Sequence, residues 1–184
     1  MTSRALAPVA PLAAVLSTLL LVACPSTTKK LNLPPVQTVP KVELDRYLGT
    51  WYEIASFPQS FQRGCHATTA TYSMAEKGEI AVVNRCNKDA LDGPLKTATG
   101  RARVVDTTTN ARLEVSFFGP FWGEYWVVDL DEDYQYAVVG HPGRDYLWVL
   151  SRSPTMEESV YQGILARLEA QQYPTDRLVR TVQR

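Results

Sequence analysis

From Thr50 to Ser151 the chain alternates apolar and polar residues in short bursts with a period of two. Leu113, Val115 and Phe117 fall on one face of such a run, and Arg112, Glu114 and Ser116 on the other. In the preceding run Ala98, Gly100, Ala102 and Val104 oppose Thr99, Arg101 and Arg103. This patterning predicts strands with one buried and one wet face. Eight runs rich in Val, Thr, Tyr, Phe and Trp fit it: 50–57, 67–74, 79–86, 97–105, 112–118, 125–130, 134–139 and 146–151. Turn residues part several of them, at Glu76-Lys77-Gly78, Leu91-Asp92-Gly93-Pro94, Thr109-Asn110, Gly119-Pro120, Asp131-Glu132-Asp133 and Gly140-His141-Pro142-Gly143.

After Ser151 the period changes. Val160, Ile164, Leu165 and Leu168 form one helical stripe, Pro154 suits a first turn, and Thr155-x-x-Glu158 has the form of a capping box. Pro174 is expected to stop this helix, and 178–182 to add a last short strand. The prediction is therefore an all-β domain, an eight-stranded antiparallel up-and-down β-barrel with one C-terminal α-helix packed outside. Closure removes exposed edges, and eight strands leave room inside for one small ligand. An open sandwich is the alternative that the same periodicity allows.

The N-terminus has a different character. Residues 1–23 carry one positive charge, Arg4, and an apolar run from Leu12 to Val22 broken only by Ser17 and Thr18. That run is too short to span a bilayer and has the shape of a signal-peptide core. Leu21-Val22-Ala23-Cys24 resembles the bacterial lipoprotein box, which implies lipidation of Cys24 as the first mature residue, and palmitate among its acyl chains. Pro25 follows the cysteine, and the resemblance then implies sorting to the outer membrane. Residues 24–41 read as the lipidated cysteine and a tether containing Pro25, Pro34, Pro35 and Pro40; 42–184 read as the folded domain.

Charge and cysteines narrow the chemistry. The chain has 19 basic and 19 acidic side chains, so losing Arg4 with the leader leaves one net negative charge. Without a basic cluster there is no electrostatic footprint for nucleic acid or for an anionic membrane. Cys65 and Cys86 remain as an even pair in an oxidising compartment, which points to a disulfide. No Cys-x-x-Cys pair and only His66 nearby argue against a metal, and nothing calls for a cofactor. Cys65-His66 as a nucleophile and base would need adjacent strand side chains to converge, which strand geometry opposes.

Three motifs in order carry a family resemblance. Gly49-Thr50-Trp51, after Leu44-Asp45-Arg46-Tyr47-Leu48, resembles the first lipocalin signature; Glu132-Asp133-Tyr134 resembles the second, with glutamate for threonine; Arg152 matches the third. Gly49-Thr50-Trp51-Tyr52-Glu53-Ile54-Ala55, Thr69-Ala70-Thr71-Tyr72-Ser73, Ser116-Phe117-Phe118-Gly119-Pro120-Phe121 and Asp145-Tyr146-Leu147-Trp148 are similar to the bacterial outer-membrane lipoprotein lipocalins. The similarity covers the whole chain. Gly49, Trp51 and Arg152 are structural in this reading: the indole plugs one barrel end, and a guanidinium stacked on it adds cation–π attraction of about 0.5–2 kcal/mol.

Lipocalin connectivity implies that loops 58–66, 87–96, 119–124 and 140–145 crowd the opposite, open end. Phe57, Phe61, Phe121 and Trp122 would stand at that mouth, an unusual aromatic load for loops. The midpoint of Cys65 and Cys86 falls near the Glu76-Lys77-Gly78 turn, so the two should lie almost opposite each other as a rim disulfide. By alternation Trp148 shares a face with Tyr146, Leu150 and Arg152. Trp148 and Trp122 match aromatic residues lining the ligand channel of the bacterial group. Tyr146, Phe117, Val115, Trp126 and Phe57, with Leu113 and Val138, complete the ligand-lining candidates, and Arg63, His66 and Arg144 could meet a head group.

The resemblance implies a carrier or scavenger of amphiphilic lipids, fatty acids or lysophospholipids, working in envelope maintenance from a lipid anchor on the periplasmic side of the outer membrane. A homodimer is compatible with this. The competing reading is a lipid-modifying enzyme on the same scaffold. It has little to stand on: there is no Gly-x-Ser-x-Gly elbow, and Glu53, which shares the face of Trp51, is expected to be a structural hydrogen-bonding group at the closed end. A third reading is an envelope interaction protein with a solid interior.

Overall fold

The structure is a computed structural model that describes residues 33–184, so the leader, Cys24 and the start of the proline-rich segment lie outside the described residues. A short helix α1 (Leu44–Tyr47) leads into eight antiparallel strands: β1 (Gly49–Ser56), β2 (Cys65–Met74), β3 (Ile80–Lys88), β4 (Leu95–Val104), β5 (Arg112–Phe118), β6 (Phe121–Leu130), β7 (Tyr136–Gly140) and β8 (Leu147–Ser151). Each pairs with the next, β8 returns to β1, and β1 also pairs with β2, so the sheet closes on itself. The barrel is the predicted one, and the open sandwich is excluded. Its strand β6 starts four residues before the expected Tyr125, because Phe121 to Glu124 join the β5 ladder without alternating in polarity.

Closure is uneven around the β1–β2 seam. Gly49 to Tyr52 pair directly with β2, whereas Ala55 and Ser56 pair with a ninth strand, β9 (Val179–Arg180). The Ala67 amide then donates to the Val182 carbonyl at 2.8 Å, and Gln183 Nε2 donates to the carbonyls of Glu53 and Thr68. The C-terminal segment thus completes the wall where β1 and β2 diverge.

Helix α2 (Glu158–Ala170) lies outside the barrel, burying Tyr161, Ile164 and Leu168. Val160, expected in the stripe, is exposed, and Leu165 is only partly buried. The expected capping box does not form. The cap falls at Glu157, while Thr155 is taken up in the preceding turn, where Ser153 Oγ accepts its amide and meets its hydroxyl at 3.2 Å. Nor does Pro174 stop the helix. Gln172 turns left-handed at φ 61°, and the Tyr173 amide reaches back to the Leu168 carbonyl, the arrangement that closes helices before any proline is needed.

Two apolar clusters follow from the two faces of the wall. Trp51, Tyr72, Ile80, Val82, Ala102, Leu113, Val127, Val139 and Leu150 fill the inside. Ile54, Ala55, Phe57, Val128, Val138, Leu147 and Val149 face outward under α2. The outer cluster also holds Val36, a residue of the expected tether. Residues 34–42 strap the barrel: the Val39 amide donates to the Val127 carbonyl, Val42 to Thr109, and Arg144 Nη2 to the Pro34 carbonyl at 2.7 Å. Val36 joins the outer cluster while Val39 and Val42 pack against the inner one, so the segment crosses from one side of the wall to the closed end. The folded part therefore begins before the expected boundary at Val42.

Candidate functional site

One end of the barrel is sealed. Trp51 is fully buried and its indole Nε1 donates to the Tyr47 carbonyl at 2.8 Å. The Arg152 guanidinium stands 3.7 Å from the Trp51 ring centroid and donates to the carbonyls of Thr50, Arg46 and Leu48 at 3.0, 2.6 and 2.9 Å. A charge beside a π-face and three carbonyls is satisfied without a carboxylate. Gly49 permits this approach: its φ is +94°, and a Cβ there would come within 3.3 Å of Arg152 Nη1. Tyr134, from the Glu132-Asp133-Tyr134 motif, braces the same end, since its hydroxyl accepts the Glu43 amide and Arg46 lies 4.1 Å above its ring.

Above this floor three tyrosines converge. The hydroxyls of Tyr47 and Tyr125 are 2.8 Å apart, and Tyr125 donates to Tyr72 at 2.9 Å. Burial pushes the Tyr72 phenol up from 10.0 to about 12 and drives Tyr47 and Tyr125 upward as well, so all three stay protonated over the ordinary pH range. With Leu44, Leu48, Ile80, Ala102, Leu113 and Val115 they surround a void of about 10 Å³. The inward positions of Tyr72 and Tyr125 are visible in the strand alternation; their meeting across the barrel is not.

Burial along the inner wall is uneven toward the other end, where Thr68 and Cys86 are buried but several apolar side chains are not. Ile80, Ala102 and Leu113 are buried near the floor and Leu150 is buried level with Glu53, whereas Ala98, Val115, Phe117 and Trp148 are only half-buried. Phe117 packs where Gly100 has no side chain, a Cβ there falling 2.8 Å from its ring. Trp148 stacks on Tyr146 with centroids 5.9 Å apart, and Tyr146, 36% exposed, meets His141 edge-on. Asn84 follows Val82 on the inner face of β3, and its Oδ1 is buried with no partner among the described residues.

The mouth is held by a polar network that sequence reasoning placed wrongly. Glu53 is buried in the open half, not at the closed end. Its Oε1 accepts Ser56 Oγ and Thr181 Oγ1 at 3.0 and 2.5 Å, and its Oε2 accepts Gln62 Nε2 at 2.7 Å. Gln62 Oε1 in turn accepts the Trp148 indole at 2.9 Å. One carboxylate so ties the first loop, the C-terminal segment and Trp148 together. Gln62 carried no signal in the sequence. Cys65 and Cys86 are joined by a disulfide with Cα atoms 5.3 Å apart. Cys65 faces Lys88 across the ladder, so the bridge runs diagonally and not straight across as expected.

Four of the expected ligand-lining residues stand on the other side of the wall. Phe57 is fully buried in the outer cluster beneath the Arg177 guanidinium, 4.6 Å away. Trp126 packs against the same cluster with Arg112 over its ring, and Val138 lies beside it. Trp122 stands an odd step of three residues from inward-facing Tyr125 along β6 and so faces out; its ring lies under Arg101 and Arg103, on the outer face of β4, at 5.0 and 4.2 Å. Of the suggested head-group residues, Arg144 is buried and committed to the Gln171 and Pro34 carbonyls, Arg63 is exposed, and His66 is half-buried on β2. Among the described residues no group of three or more His, Cys, Asp or Glu stands together, and no helix is long and apolar enough to cross a membrane.

A closed eight-stranded barrel, plugged at one end and lined with apolar side chains, defines the calyx class of β-barrel proteins. The chain belongs to the lipocalin family: the family model for the lipocalin-like domain matches residues 42–183. It is 46% identical to outer membrane lipoprotein Blc of Escherichia coli (strain K12) over 157 residues, which is 84% of this chain and 85% of that protein. It is 36% identical to temperature-induced lipocalin-1 of Arabidopsis thaliana over 157 residues, 80% and 83% of the two chains. Insecticyanin from the tobacco hornworm Manduca sexta shares the fold, with a TM-score of 0.64 at 21% identity over 81% of this chain and 85% of that one.

Proposed function

We propose that this protein is a lipid carrier or scavenger of the bacterial envelope, anchored through acylated Cys24 to the outer membrane and facing the periplasm. The observation that carries the reading is the half-buried apolar stretch of the inner wall at Val115, Phe117 and Trp148, beyond a floor sealed by Trp51. Such a wall suits an amphiphile that enters tail first, its head group left at the mouth. Each methylene taken from water contributes about 0.8 kcal/mol, so a fatty acid or lysophospholipid needs few polar contacts to bind. Similarity to proteins named outer membrane lipoprotein supports the location.

The exposed aromatics support it too. Phe118 and Phe121, 81% and 76% exposed, form the tip of the β5–β6 hairpin, and Phe61 and Leu95 stand exposed in and beside two other mouth loops. Apolar groups at a mouth suit contact with the lipid from which cargo is taken. Binding is favoured over catalysis because both Glu53 oxygens are already engaged by protein donors.

Trp148→Ala tests the reading. A displacement titration with a fluorescent fatty-acid analogue should show affinity falling by roughly tenfold, the effect of losing a large part of one aromatic wall contact. Unchanged affinity would remove Trp148 from the site, and absence of saturable binding to the unsubstituted chain would end the carrier reading.

A further inference from the structure

The tyrosine cluster leaves one proton without an acceptor. Tyr47, Tyr72 and Tyr125 carry three hydroxyl protons, and two hydrogen bonds join them. Tyr125 donates to Tyr72, so Tyr47 must donate to Tyr125, and the Tyr72 proton has no acceptor among the described residues. Tyr72 is 93% buried by area, its relative exposure being 7%, and a buried donor left unmatched costs about 1–3 kcal/mol. The rings are fixed around it: Tyr47 packs on Trp51 and Tyr72 at 5.2 and 5.8 Å, and Tyr125 meets Tyr72 edge-on at 6.1 Å.

All three rings border the void above the floor, whose remaining walls are aliphatic. Its volume, about 10 Å³, is close to what a single water requires. Val115 belongs both to this lining and to the half-buried part of the wall, so an acyl chain that reached the closed end would stop against this void. A plain methyl end arriving there leaves the Tyr72 proton unmatched. A chain end bearing one neutral oxygen satisfies it.

We propose that the tyrosine cluster is a subsite for a single uncharged oxygen, a hydroxyl or carbonyl, at the buried end of an acyl chain. A carboxylate does not suit it: Arg152, the cation whose charge is felt at Tyr47, is committed to backbone carbonyls and the Trp51 ring. Because burial keeps the phenols protonated, the donor persists at any pH the envelope experiences. The subsite rests on the carrier reading and refines it, from amphiphiles in general to those oxygenated near the tail.

The test compares palmitate with its ω-hydroxy derivative as displacers of a fluorescent fatty-acid analogue from the full chain. With the subsite present, the hydroxylated acid binds at least as tightly as palmitate, despite the cost of drying its hydroxyl. In Tyr72→Phe the hydroxylated acid loses about tenfold relative to palmitate, since its oxygen then lacks a donor. An unchanged ratio of the two affinities overturns the subsite while leaving the carrier reading intact. Failure of palmitate to bind the unsubstituted chain overturns both. Should Tyr72→Phe not fold, Tyr125→Phe reads the ratio in the opposite direction. Tyr47 loses its acceptor and Tyr72 keeps its free proton, so two donors face the void, the hydroxylated acid gains relative to palmitate, and an unchanged or lowered ratio refutes the subsite.

Discussion

The two ends of this barrel are built from similar residue types to opposite purposes. At the floor an indole, a guanidinium and four tyrosines interlock with backbone carbonyls, and Trp51 has no exposed surface. At the mouth aromatics of the same size, Phe118, Phe121 and Tyr146, stand in solvent, and the polar network around Glu53 ties loops instead of filling space. Aromatic content alone therefore says nothing about role. Partnered polar tips do not separate the ends, since the Trp51 indole at the floor and the Trp148 indole at the mouth both find acceptors; what separates them is whether the rings are enclosed by neighbours or left open.

That contrast is broken most severely at the floor. Trp51→Ala should cost roughly 3–5 kcal/mol, because the cavity cannot collapse under the strands and Arg152 loses its stacking face. Urea denaturation followed by far-ultraviolet circular dichroism measures it. A loss below 1 kcal/mol, of the size surface changes produce, would mean the floor is not the stable end.

Tyrosine ionisation sharpens the comparison in a second way. The Tyr72 phenol is raised from 10.0 to about 12 by burial, and Tyr47 and Tyr125 shift in the same direction. A group whose folded pKa lies above its unfolded value contributes stability that is whole below the unfolded pKa. That stability is lost as pH climbs through the folded one. The window is thus about pH 10 to 12, and Tyr72 alone accounts for roughly 3 kcal/mol across it. Stability measured at stepped pH should fall steeply there and less steeply in Tyr72→Phe. Parallel curves would show that the phenol titrates alike in the folded and unfolded chains.

How much of this could be read from the chain depended on the range of the contacts involved. Alternation located all eight strands, since a half-buried strand writes its own two faces, as Arg112 to Phe118 does residue by residue. The plug of Trp51 and Arg152 was legible through its motif. Facing failed at Trp122, which family likeness and not alternation put in the channel: an odd step of three from inward Tyr125 turns it outward. Phe57 lies just beyond the end of β1, after the irregularity between Glu53 and Ala55. The strap was misread because Val36, Val39 and Val42 lie in a proline-rich stretch and pack against two different clusters, a pattern that neither helix nor strand reasoning seeks. The tyrosine cluster and the Gln62 bridge join residues from distant strands and loops, and only closure of the barrel brings such groups together.

The smallest effect on stability is expected at the mouth, where it is most informative. Phe118 and Phe121 face each other across the β5–β6 ladder at the hairpin tip, and neither belongs to either core cluster. Replacing both with serine should therefore change the unfolding free energy by no more than about 0.5 kcal/mol. If these rings meet the lipid surface when cargo is collected, the same double variant should slow transfer of a fluorescent fatty acid from vesicles by about tenfold, a loss of little more than 1 kcal/mol of contact. Its equilibrium affinity for the monomeric acid should hold, because the rings lie outside the inner wall. Slowed transfer at constant affinity and stability separates a rim that touches membrane from one that merely borders a cavity. Unchanged transfer would assign the exposed pair no part in loading, and the floor would then remain the end of the barrel where aromatic rings matter most.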